Sequence, residues 1–124
     1  MFLTYEITAF GDNLFVKTND AIRGASTTAG VAFTIEDSTG AATTTGAVSV
    51  SYDIDGADEN NGFFELEDGE TYEMTVTVNS YNPVGVGGTY NLQVLSVGFS
   101  DTEVTATDNE APSDLNDYES DDVA

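Results

Sequence analysis

Apolar and polar residues alternate along most of this chain, and a period of two is typical of β-strands that bury one face. The alternation predicts strands at residues 3–8, 13–18, 31–35, 48–54, 64–66, 72–78 and 89–99, with a weaker one at 102–107. No segment has the 3.6-residue apolar spacing of an amphipathic helix, and Thr, Val and Gly, which are poor helix formers, are abundant. The sequence therefore predicts an all-β protein.

The predicted strand at residues 89–99 changes phase halfway along its length. Its apolar residues have even numbers up to Val94 and odd numbers from Leu95 onward. A β-bulge near residues 94–96 would keep both halves facing the same core. Burial of the strand on both faces is the alternative explanation.

Turn-forming residues separate the predicted strands at residues 19–30, 37–40, 68–69 and 82–88, where we expect turns or loops. Roughly seven to nine short antiparallel strands, with turn signals about every 8–12 residues, are typical of a two-sheet sandwich. A chain of 124 residues suits one core. We therefore expect a sandwich at residues 1–107 and an acidic tail at residues 108–124, which contain no base.

The charge balance excludes several classes of function. The chain has 23 acidic and 2 basic residues, a net charge of −21, and neither Cys nor His. Few groups could neutralise phosphates, so nucleic acid is not an expected partner, and no run of about 18 apolar residues could insert into a membrane. Zinc sites built from Cys and His, and catalysis by Cys or His, are excluded. No converging constellation of carboxylates can be inferred, so we do not expect an enzyme.

One stretch of the sequence resembles a known family. Residues 66–78 (Leu-Glu-Asp-Gly-Glu-Thr-Tyr-Glu-Met-Thr-Val-Thr-Val), followed by residues 88–94 (Gly-Thr-Tyr-Asn-Leu-Gln-Val), resemble the immunoglobulin-like and fibronectin-III-like modules of bacterial and archaeal cell-surface proteins. The resemblance implies an immunoglobulin-like antiparallel β-sandwich that serves as a spacer, adhesin or assembly unit outside the cell. It also implies a structural corner at Leu66, Gly69 and Tyr72, in which the tyrosine hydroxyl binds nearby backbone. The chain departs from the antibody pattern because it lacks the two cysteines and the core tryptophan.

A dense group of acidic residues is a candidate calcium site. Asp53, Asp55, Asp58 and Glu59 lie within seven consecutive residues around Gly56. Ca²⁺ prefers six to eight oxygen ligands, which carboxylates supply. The spacing is not that of an EF-hand, and a polar loop at a strand end is the alternative interpretation.

The first predicted strand is a candidate assembly strand. Its apolar positions Leu3, Tyr5 and Ile7 begin almost at the chain terminus. Such a segment can pair within its own sheet or add to the exposed sheet edge of a neighbour. The only bases, Lys17 and Arg23, lie near this end and could meet the acidic tail of another copy, or could be isolated cations without a role.

These features favour a non-enzymatic structural subunit or module of an extracellular surface assembly (a filament, layer, fibre or spacer) whose partner is another copy of the chain. The first alternative is a Ca²⁺-dependent adhesion or glycan-binding module, for which Tyr81 and Tyr118 could stack on sugars. The second alternative is a protein of a virion surface.

Overall fold

The computed structural model describes residues 1–84, 88–103 and 108–110. These residues form ten strands: β1 (Phe2–Thr8), β2 (Leu14–Lys17), β3 (Ala21–Arg23), β4 (Val31–Glu36), β5 (Ala47–Asp55), β6 (Asp58–Asn60), β7 (Phe63–Leu66), β8 (Thr71–Asn82), β9 (Asn91–Phe99) and β10 (Asp108–Glu110). The described part of the chain contains no helix, and so none that could span a membrane. The predicted all-β class is confirmed.

The strands form three hydrogen-bonded sheets with the orders β1-β8-β5, β10-β9-β4-β3 and β2-β7-β6. Reciprocal backbone hydrogen bonds of 2.8 and 3.0 Å between Phe15 in β2 and Ser100, just beyond β9, connect the last two sheets. Six of the seven strand pairs are antiparallel, as predicted. The pair β3–β4 is parallel and corrects that prediction.

The hydrophobic core lies between the inward faces of these sheets, where period-two alternation places every second side chain. In β5, Tyr52 and Ile54 are buried, whereas Ser51, Asp53 and Asp55 are exposed. The largest fully buried side chains come from β2, β4, β5, β8 and β9: Val16, Val31, Ile35, Ile54, Met74, Val76, Leu92 and Val94. Because they come from all three sheets, one core unites the strands.

A β-bulge accounts for the change of phase in β9. The pairing of β4 with β9 shifts from Ala32↔Ser96 to Phe33↔Val94, so Leu95 has no partner across β4. The predicted bulge is therefore present within residues 94–96. The alternative explanation also contributes, because all six residues of β4 and six of the nine in β9 are buried, which includes both faces.

Three segments differ from the predicted pattern of strands and loops. Asp58–Asn60 form β6, where no strand was predicted. Residues 19–30 were expected to form a loop, but Ala21–Arg23 form β3 on the edge of β4. A three-residue strand is too short to show alternation, and its partner lies about ten residues further along the chain. The predicted boundary at residues 107/108 also falls directly before β10, which pairs with β9 and extends the sheet beyond it.

The weak strand predicted at residues 102–107 is not formed at its start, because residues 102 and 103 lie in bends. Residues 104–107, and residues 111–124 of the predicted tail, lie outside the described part of the chain.

Candidate assembly edge

The predicted assembly strand is the edge strand of its sheet. β1 pairs with β8 along its whole length, from Phe2↔Thr77 to Thr8↔Thr71. Among the described residues, no strand pairs with its other side. Leu3 is buried, and Tyr5 and Ile7 are half-buried against the core. In the isolated chain, the segment therefore pairs within its own sheet.

The hydrogen bonds at the two ends of β1 show which backbone groups face outward. The Met1 carbonyl accepts a hydrogen bond from the Val78 amide at 2.9 Å, and the Ala9 amide donates to the Glu70 carbonyl at 3.3 Å. In an antiparallel ladder every second residue is hydrogen-bonded to the same neighbour. The odd-numbered residues of β1 thus bond to β8. The amides and carbonyls of the even-numbered residues point away from it: Phe2, Thr4, Glu6 and Thr8.

The outer face of this sheet is polar. The side chains of Thr4 and Thr75 are hydrogen-bonded at 3.1 Å, and those of Thr8 and Thr71 at 2.8 Å. Phe2 is the exception, since it is 64% exposed on the same face. This is the hydrated Thr-rich surface expected of an alternating strand with one face in water.

Three carboxylates lie in one row across this polar face. Glu6 is directly opposite Glu73, which is directly opposite Asp55 on the other side. All three are exposed. Like charges at directly opposite positions on neighbouring strands destabilise a sheet. The exposed base Lys17 lies in β2, which belongs to another sheet, so it is not part of this row.

The four predicted calcium ligands are divided between two strands. Asp53 and Asp55 lie on the exposed face of β5, whereas Asp58 and Glu59 lie in β6, which pairs with β7. The tight turn at Gly56 (φ 86°) joins the two strands, so the segment is a strand, a turn and a second strand, and not the polar loop of the alternative interpretation. Within the described residues, no three acidic side chains lie close enough together to hold a metal ion. The calcium site stays a prediction.

The predicted structural corner closes the turn between β7 and β8. The Tyr72 hydroxyl accepts a hydrogen bond from the Glu67 backbone amide at 2.9 Å, which is the kind of contact the family resemblance implies. Gly69 has φ 82°, in the left-handed region that glycine adopts without strain. Leu66 is buried in the core. The corner is thus held by a side chain, a glycine and apolar packing.

The same turn fixes the segment that follows β1. The Gly69 amide donates to the Ala9 carbonyl at 2.8 Å, and the Gly11 amide donates to the Asp68 carboxylate at 2.8 Å. The Asp68 amide in turn donates to the side-chain oxygen of Asn13 at 3.0 Å. These contacts anchor the end of β1, so the predicted assembly strand is held at its carboxyl end as well as by its pairing with β8.

Alternation alone identified Tyr52 as a core residue but not the contacts of its hydroxyl. This hydroxyl donates to the Lys17 carbonyl and accepts from the Asp20 amide at 3.2 Å, while the Asp20 carboxylate accepts from the Gly30 amide at 3.0 Å. Burial raises the pKa of Tyr52 to about 12. The partners come from distant parts of the chain, so no local pattern could have revealed them.

Arg23 is bound within its own chain. Its guanidinium donates to the Gly46 carbonyl at 2.7 Å, to the Thr45 carbonyl at 2.9 Å and to the Thr43 hydroxyl at 2.8 Å. It also lies 5.7 Å from the ring centre of Tyr81. Of the two bases, only Lys17 is exposed, so the expected basic end is reduced to one side chain.

Of the two tyrosines predicted to stack on sugars, only Tyr81 lies in the described residues, and its ring packs against another side chain. Tyr81 is half-buried and packs edge-on against Tyr90, with ring centres 5.2 Å apart. Tyr118 lies outside the described residues.

Comparison with known proteins adds no constraint on the function of this edge. The chain matches no family model, no curated protein and no solved structure.

Proposed function

We propose that this chain is a non-enzymatic structural module that builds an extracellular surface assembly by pairing β-strands between copies. The observation that carries the proposal is the outer edge of β1. Four of its residues direct their backbone amides and carbonyls away from the sheet, and no described strand satisfies them. Such a row of backbone groups is a template for pairing with another strand.

Exposed aromatic side chains at both ends of β1 support this proposal. Phe2 is 64% exposed at the start of the strand, and Phe10 is 79% exposed two residues beyond its end. Large apolar side chains next to an unpaired strand favour contact with another protein surface. The Thr-rich and acidic outer face would keep the rest of the sheet hydrated in the assembly.

The immunoglobulin-like character of the module is part of the same proposal. It rests on the family resemblance of residues 66–78 and 88–94 and on the hydroxyl of Tyr72, which binds the backbone five residues upstream. A sandwich of this kind can serve as a repeating unit because an exposed edge strand can pair with a strand of another copy.

The oligomeric state of the full chain tests the proposed function. Light scattering after size-exclusion chromatography, from 0.1 to 3 M NaCl with and without EDTA, should show species larger than 13.1 kDa that EDTA does not dissociate. A 13.1 kDa particle under every condition would refute the proposal. Dissociation by EDTA alone would instead support the calcium-dependent adhesion module.

A further inference from the structure

We infer that the outer edge of β1 pairs antiparallel with the same edge of a second copy, with a two-fold axis between the two Tyr5 residues. This inference rests on the proposed function and adds the partner, the edge and the register. The result is a closed dimer with a continuous six-stranded sheet of the order β5-β8-β1-β1-β8-β5, which would be the repeating unit of the proposed assembly.

The orientation of the backbone groups limits the registers that are possible. Since the even-numbered residues face outward, only even-numbered residues can be hydrogen-bonded to each other across the new pair. Placing Thr4 opposite Glu6 of the second copy pairs all four outward-facing residues, because Phe2 then lies opposite Thr8. This register provides about eight backbone hydrogen bonds between the copies.

Side-chain chemistry favours the same register. On the inner face it places Leu3 opposite Ile7 of the second copy and Tyr5 opposite Tyr5, so apolar positions meet apolar ones. Shifting the pair by two residues in one direction leaves Thr8 unpaired. Shifting it the other way places Glu6 opposite Glu6, and this like-charge pair is unfavourable. Glu6 already faces Glu73, so a third carboxylate beside it would add to the repulsion.

The exposed phenylalanines fit this antiparallel arrangement. Phe2 and Phe10 lie at opposite ends of β1 in one chain. In the antiparallel pair, the start of one β1 meets the end of the other. Each Phe2 is therefore brought to the end where Phe10 of the second copy lies, and both apolar surfaces lie next to the new contact.

Other acidic segments of the chain are less suitable partners for the outer edge of β1. Among the described strands, the other edge of the same sheet is β5, which carries Asp53 and Asp55 on the face that carries Glu6 in β1. Pairing β1 with β5 of a neighbour in a register that puts Glu6 opposite Asp53 or Asp55 would place carboxylates side by side. Residues 111–124 contain five carboxylates and no base, so the same objection applies to them.

A proline substitution tests which edge is used. Thr4→Pro removes an amide that faces outward and leaves the hydrogen bonds to β8 intact, as proline is tolerated on edge strands in this orientation. Thr4→Val, which keeps the amide, is the matched control. We expect Thr4→Val to form dimers like the unmodified chain and Thr4→Pro to be a folded monomer. Dimers should tighten about tenfold from 0.1 to 1 M NaCl, because salt screens the repulsion between two chains of charge −21.

Cysteine cross-linking tests the register without proline, which covers the case in which Thr4→Pro does not fold. The chain has no native cysteine. Mixing Thr4→Cys with Glu6→Cys chains under mild oxidation should give a disulfide between the two variants, whereas Thr4→Cys alone should not cross-link efficiently. Efficient self-linking of Thr4→Cys, or efficient linking of Thr4→Cys to Thr8→Cys, would refute this register, and both of these variants retain Glu6. An oligomer that persists in a folded Thr4→Pro chain would refute the β1 edge but leave the proposed function standing, whereas a monomeric unmodified chain would refute both.

Discussion

Removing the hydroxyl of Tyr52 should destabilise the fold by about 2 kcal/mol. Tyr52 is only 9% exposed, and its hydroxyl bonds with the Lys17 carbonyl and the Asp20 amide. Tyr52→Phe keeps the ring and its packing against Phe64 at 6.2 Å but deletes both hydrogen bonds. A buried backbone group left without its partner costs roughly 1–3 kcal/mol, which sets the size of the effect.

Thermal unfolding measures this loss directly. A chain of 124 residues unfolds with an entropy of about 0.26 kcal/mol/K, so a loss of about 2 kcal/mol should lower Tm by about 8 °C. Tyr72→Phe is the matched control, since it deletes one exposed hydroxyl-to-backbone hydrogen bond. We expect the control to lower Tm by less than half as much. Equal shifts in the two variants would refute the reasoning that burial makes the Tyr52 contacts costly to lose.

The same hydroxyl should make stability depend on alkaline pH. Tyr52 ionises near pH 10.0 when it is unfolded, whereas burial raises its pKa to about 12 in the folded chain. Between these values the unfolded chain loses the proton first, so the contribution is fully present below pH 10 and is lost progressively as pH rises to 12. Urea midpoints from pH 9 to 12 should therefore fall less steeply in Tyr52→Phe than in the unmodified chain. Identical slopes would contradict the raised pKa.

Two further substitutions test the packing around Tyr52 and the charge on the outer face. In Gly30→Ala, the new Cβ would overlap the Tyr52 hydroxyl and would lie 2.6 Å from the Lys17 carbonyl oxygen, so we expect a loss of about 1–3 kcal/mol in urea unfolding. Tyr52→Phe should relieve this loss only in part, because the contact with the Lys17 carbonyl remains. An unchanged urea midpoint in Gly30→Ala would argue against the overlap. Glu73→Gln removes the central charge between Glu6 and Asp55 and should raise stability by about 0.2–1 kcal/mol in low salt and less in 1 M NaCl. Destabilisation in low salt would contradict the like-charge argument.

The alternation of apolar and polar residues predicted the strands that bury a full face. Burial of every second side chain is visible in the sequence of one strand, without knowledge of its partner. The alternation also located the bulge, since the change of parity after Val94 is visible without knowing the partner strand. Two short strands left no such signal. All three residues of β6 are exposed, and β3 forms through backbone pairing with a distant segment. Backbone pairing of this kind does not depend on which side chains are apolar.

The candidate site was predictable only in part, for a related reason. Parity alone showed that Leu3, Tyr5 and Ile7 face the core. That β1 is an edge strand depends on the sheet order β1-β8-β5, which no local pattern encodes. The row of Glu6, Glu73 and Asp55 depends on the register of two strand pairs, so it could not be predicted from the sequence either. The predicted calcium ligands illustrate the converse, because residues close in sequence were separated into two strands by the turn at Gly56.

Repulsion between like charges at Glu6 disfavours most partners of β1 and leaves the proposed register possible. A charge in the middle of an edge strand discourages indiscriminate pairing, because most partners would have to accept it beside their own strand. In this chain the repulsion is stronger, since Glu6 already faces Glu73. A partner that places Thr4 opposite Glu6 avoids adding a third carboxylate, so the charge that opposes other partners permits this one. Salt weakens the long-range repulsion between two chains of charge −21 more than the repulsion between carboxylates on directly opposite residues, whose Cα atoms are only about 4.5–5.5 Å apart. Salt should therefore strengthen the association without changing its register.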